Sequence, residues 1–128
     1  MANITFSIQC QFRVVIYPAP DLEGQWIAHC LETDIVSQGD SVDHAFEMMI
    51  EAVNSIVQYN LGHGRPPLNL TPAPKEVWDL VGISQATGIS ANIKVSTRKM
   101  KQKEPMLPDI YPLYAYVSQH APQQPDAG

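Results

Sequence analysis

Positive charge is scarce at the front of this chain. Residues 1–64 contain one basic side chain, Arg13, against eight acids: Asp21, Glu23, Glu32, Asp34, Asp40, Asp43, Glu47 and Glu51. That half is therefore −7, a sign that repels nucleic acid and steers basic partners inward. Plain solubility is the other reading of the same charge. Cysteine is scarce too. Cys10 and Cys30 are the only two, with no CxxC and no Cys/His spacing, so neither a zinc site nor a redox dithiol is indicated. No apolar run approaches the roughly 18 residues of a membrane-spanning helix. No charged stretch precedes a short apolar one, as it would in a secretory leader. A cytoplasmic protein without membrane contact is expected. No P-loop, nucleophile elbow or zinc motif is present. Residues 4 to 17 hold no Asp or Glu, so the first strand lacks the carboxylates that a two-metal nuclease needs. Neither an enzyme nor a cofactor-binding protein is expected.

What is present is the composition of a soluble globular protein. Of 128 residues, 45% are apolar and 16% charged. That length suits one domain with its own core. Eleven prolines, most of them after position 65, divide a compact front from a loop-rich back. Half of the eight basic residues sit in one run, Arg98, Lys99, Lys101 and Lys103. It could touch phosphates, but no aromatic interleaving supports that over a solvated strand end.

Ile4, Phe6, Ile8, Cys10, Phe12, Val14 and Ile16 alternate with Thr5, Ser7, Gln9, Gln11, Arg13, Val15 and Tyr17. Period two assigns the first set to a core face and the second to solvent. Thirteen residues is long for one strand, so Ile4, Phe6 and Ile8 are read as an overhang that contacts a second subunit or the C-terminal arm. A proline-rich turn leads through Gly24 to a return strand, Trp26 to Cys30. The reading sets Tyr17 opposite Trp26 and Arg13 opposite Cys30, with both cysteines inward and free. A short third strand, Ile35 to Gln38, ends at Gly39.

The period then changes. Val42, Ala45, Phe46, Met49, Ala52, Val53, Ile56 and Val57 follow helical spacing, and Asp43, Glu47 and Glu51 fill the opposite side. Ser41 is the expected N-cap and Gly62 the expected residue after the helix. Pro74 to Val81 suggests a short second helix. Gly82 to Ala91 reads as loop, Ile93 to Thr97 as a fourth strand, and Met106 to Val117 as an irregular arm. The fold class is α+β: a small β-β-β-α-β unit, mainly antiparallel, packed on one amphipathic helix. Residues 1–98 form this domain and 99–128 the irregular or partly disordered arm.

The run Trp26 to Ala45 resembles the HicB family of antitoxin-like domains. The family pattern is a strand ending in Ala-x-Cys or Ala-x-Val, a short strand, then Gly-Asp-Thr/Ser-x-x-x-Ala opening an amphipathic helix. Ala28, Cys30, Gly39, Asp40, Ser41 and Ala45 stand in those places, and Gly24 matches the glycine before the second strand. The likeness covers about Phe12 to Tyr59. It implies that Gly39 allows a sharp turn, that Asp40 and Ser41 satisfy helix N–H groups, and that Ala45 lets the helix sit close. It also implies a homo-oligomer, a fold likened to part of RNase H, and a partner. That partner is a HicA-like toxin, a small basic mRNA interferase neutralised by direct contact. Many such antitoxins carry a C-terminal DNA-binding domain. Here the prolines after Thr97 preclude a regular helix pair, and direct DNA binding is not expected.

Asp43, Glu47 and Glu51 are the candidate partner-binding residues; a solvated helix face is the plainer alternative. His29 and His44 read as structural, and Trp26 and Trp78 as packing. The alternatives to an antitoxin are a stand-alone oligomeric domain of regulatory or structural role, and a degenerate RNase H-like nuclease.

Overall fold

The computed structural model describes residues 11–94 and 110–123. Its elements are β1 (Phe12–Pro18), β2 (Trp26–Cys30), β3 (Val36–Gly39), α1 (Val42–Gly62), α2 (Lys75–Trp78), a 3-10 turn (Asp79–Ile83), β4 (Gln85–Lys94) and β5 (Ile110–Val117). The strands form one sheet in the order β3-β2-β1-β5-β4. Every neighbouring pair is antiparallel except β1 and β5, which run parallel. The α+β class, with a mainly antiparallel sheet on one amphipathic helix, is what the structure has.

Alternation along β1 assigns its two faces. Phe12, Val14 and Ile16 turn toward α1 and pack with Ala28, Cys30, Phe46, Met49, Val53 and Leu113. Each large side chain so buried stabilises by roughly 1.5–3 kcal/mol. Val15 and Tyr17 face the other way, but they do not face water as expected. They are buried with Leu31, Ala73, Val77 and Leu80. The chain after α1 crosses to this second face, where α2 and the 3-10 turn cover part of it. Single-strand periodicity cannot show that a distant segment returns to cover a face.

The β1–β2 register is Val14 opposite Cys30 and Pro18 opposite Trp26. It differs by one residue from the expected pairing of Arg13 with Cys30. The reason is geometric: directly opposed residues share a face, so a buried Cys30 must oppose an inward residue. Val14 is inward and Arg13 is not. The loop is closed by the Ala19 N–H donating to Gln25 O, and its tip turns at Gly24 with φ +80°.

At the start of α1 the Ser41 hydroxyl accepts the His44 N–H at 3.0 Å, and His44 Nδ1 accepts the Asp40 N–H at 3.0 Å. Two free donors are thus satisfied reciprocally across the first turn. The other end differs from expectation by two residues. Gly62 is still helical, and the left-handed residue is Gly64, φ +68°. The Gly64 N–H donates to Leu61 O and the Arg65 N–H to Asn60 O, the paired bonds of a Schellman ending.

The C-terminal part corrects three expectations. Residues 82–91 are not all loop, because β4 begins at Gln85. The fourth strand is therefore longer on its N-terminal side than Ile93–Thr97, and residues 95–97 lie outside the described residues. Ile110–Val117 is a regular strand, inserted between β1 and β4, rather than part of an irregular arm. Tyr111, Leu113 and Ala115 point into the main core. Pro112 stands at the end of the β1 ladder, which runs from Leu113 to Val117, so it breaks no pairing within that ladder. The proposed overhang of Ile4, Phe6, Ile8 and Cys10 and the basic run 98–103 lie outside the described residues.

Candidate functional site

α1 turns its apolar stripe to the sheet and leaves its opposite side in solvent. Asp43, Glu47 and Glu51 are exposed there, spaced four residues apart and so stacked about 6 Å from one another along the axis. Among the described residues Arg13 pairs with Glu32 and Lys75 with Asp79, while His29 lies against Asp34 and His44 against Asp40. None of these contacts uses the three helix acids. They present a short row of negative charge that no described residue pairs, on a rigid element. Such a row attracts a basic surface, weakly per pair and in a salt-dependent manner.

The residues of the Gly39–Ala45 motif gather where β3 meets α1. Ala28 and Ala45 are fully buried, and the Ser37 hydroxyl donates to Ala45 O at 3.1 Å. Gly39 is needed for space, not for a left-handed turn, since its φ is not positive. A Cβ at this position would lie 2.7 Å from the His44 carbonyl carbon and 2.8 Å from Ala45 Cα. These residues make the fold and set the angle of the acidic helix. They offer no chemistry of their own.

The second face holds a polar cluster that the residue pattern did not reveal. His29 Nε2 lies 2.6 Å from Asp34 Oδ1, and His29 Nδ1 lies 3.5 Å from the Tyr17 hydroxyl. Tyr17 and His29 are buried. Asp34 reaches the ring from a left-handed backbone, φ 61°. Burial, and secondarily the charge of Asp34, push the Tyr17 hydroxyl above its usual value, so it keeps its proton. Beside this cluster the Arg13 backbone N–H and Nε donate to the two carboxylate oxygens of Glu32 at 2.7 and 2.9 Å. The Arg13 guanidinium stacks 4.7 Å above the Trp78 ring.

A cleft of about 260 Å³ opens next to Tyr17, lined also by Ile27, Pro74, Glu76 and Val77. It falls just below the roughly 300–1,000 Å³ of small-molecule pockets. The arrangement satisfies a buried imidazole and ties β1, β2 and the β2–β3 turn together. A tyrosine held protonated is not an activated nucleophile. No sequence motif marked this cluster, because its members come from two strands and a turn, and the short helix that covers their face lies far along the chain.

Among the described residues, no three of His, Cys, Asp and Glu come together as a metal site. No helix there is long and apolar enough to cross a membrane. Cys30 is buried and free. Comparison with protein-family models, with curated proteins and with solved structures finds no match to the chain.

Proposed function

We propose that this chain is a HicB-like binding module that covers a small basic protein, a HicA-like toxin, with the acidic side of α1. The observation that carries this reading is the row Asp43, Glu47 and Glu51: three exposed acids on one helix, with no ion-pair partner among the described residues. The β-β-β-α order and the close approach of Gly39 to Ala45 support the family reading. On this reading the module acts by contact alone, masking the toxin's basic RNA-binding surface.

The genomic neighbourhood is the first test. A gene for a small basic HicA-like protein should lie beside this one, and the two purified proteins should associate at low salt. Failure of the purified pair to associate would overturn the antitoxin reading. A stand-alone oligomeric role is the second reading; it is favoured by β4, which among the described residues pairs with β5 alone. It is expected to give a stable homo-oligomer with no toxin gene nearby.

A further inference from the structure

One ring nitrogen at the start of α1 has two rival partners. His44 Nδ1 lies 3.0 Å from the Asp40 backbone nitrogen and 3.0 Å from Asp40 Oδ1. The first is a donor and the second an acceptor, and the nitrogen can serve only one of them at a time. A neutral ring with its proton on Nε2 offers a lone pair at Nδ1 and takes the Asp40 N–H. A doubly protonated ring carries an N–H at Nδ1 and can only donate, so it turns to the carboxylate. The number of protons on the ring selects the partner.

The position gives this choice its consequence. With Ser41 as N-cap, His44 is the third helical residue, where a capping box ordinarily has Glu or Gln accepting a backbone N–H. The same turn is held on its other side by β3. The Ser37 hydroxyl donates to Ala45 O, and the Gly39 backbone meets His44 and Ala45 without room for a Cβ. The backbone of the turn is thus fixed while the ring changes partner.

The titratable neighbours of His44 are Asp43 and Glu47 on α1 and Asp40 just before it. β3, the strand packed on this turn, has no titratable side chain. Arg13, Tyr17 and His29 of β1 and β2 belong to the other face of the sheet. Cys30 faces α1 as a buried thiol, and β4 carries only Lys94, its last residue.

We propose that His44 is a proton-operated cap on α1: its neutral ring accepts the Asp40 N–H, and its protonated ring releases that N–H and donates to the Asp40 carboxylate. The proton comes from solvent, to which the side chain is 44% exposed. The helix start stays tied to Asp40 in both states. The protonated state adds a positive charge to the turn that bears Asp43, so this end of α1 is least negative in acid.

The test follows the full chain by NMR across the titration of the His44 ring. The ring nitrogen shifts should show the Nε2–H tautomer in the neutral state. The Asp40 amide proton should move in step with the ring, and the Asp40 carboxylate carbon should move with both. The amide oxygen of a glutamine can accept the same N–H, so His44→Gln should keep the parent's circular dichroism. Its Asp40 amide should no longer move over that range. A neutral ring protonated at Nδ1 overturns the proposal. So does an Asp40 amide that stays still while the ring titrates, or one that moves equally in His44→Gln. A carboxylate carbon that ignores the ring overturns the donation to Oδ1.

Discussion

Gly39 shows how much can rest on one missing methyl group. The backbone of β3 lies against the first turn of α1 so closely that an added Cβ overlaps His44 and Ala45. Backbone cannot step aside as a flexible side chain can. Gly39→Ala should therefore cost about 2–3 kcal/mol, read as a drop in denaturant midpoint with an unchanged slope. The sequence marked Gly39 as a fold residue, but for a turn rather than for a contact, because proximity between elements is not written in one segment.

Two buried acids set the response to alkali. Burial raises the Cys30 thiol above 9.0, partly offset by the neighbouring Thr33, and burial with Asp34 raises Tyr17 above 10.0. The folded state keeps protons that the unfolded chain releases. The corresponding stability is full below pH 9 and is lost as pH rises above 9 and then 10. Melting temperature should fall over that range, and Tyr17→Phe should flatten the fall above pH 10. An equal slope in parent and variant would remove Tyr17 from the explanation.

Among the elements, α1 was the most legible. Its apolar spacing, its Ser41 cap and its acid row all appear in the structure, because a long amphipathic helix carries its own period and its own start signal. Ser41→Ala should cost about 1 kcal/mol through the lost bond to the His44 N–H. Gly64→Ala should cost a further 1–2 kcal/mol or so, for a non-glycine residue held left-handed. Thermal melts of the single and double variants would show whether the two ends act independently. Gly62→Ala, two residues earlier, should cost nothing comparable, and an equal loss there would contradict the Schellman ending.

β4 and β5 were the least legible elements. Gly88 and the small residues around it mimic a loop, and Pro112 mimics a break. Their pairing is settled by long-range contacts with each other and with β1. The second-face cluster was hidden for the same reason: Val15 and Tyr17 are buried by α2 and the turn after it, not by their own neighbours in sequence.

At the scale of the whole molecule, the fold presents the acidic side of α1 to solvent. Reversing Glu47 and Glu51 to Lys should change stability by no more than about 0.5 kcal/mol, since both are exposed and pair with no described residue. Asp43 is best left in place, because it sits in the first turn and favours the helix dipole. The central claim is that this acidic row binds a basic protein. Its most direct measurement is calorimetric titration of the parent and of Glu47→Lys/Glu51→Lys with a small basic HicA-like protein, the partner the proposed function calls for, at low and at physiological salt. The expected result is a complex that weakens with salt and loses at least about tenfold in affinity in the variant. No complex at low salt, or equal affinity for parent and variant, would contradict the claim.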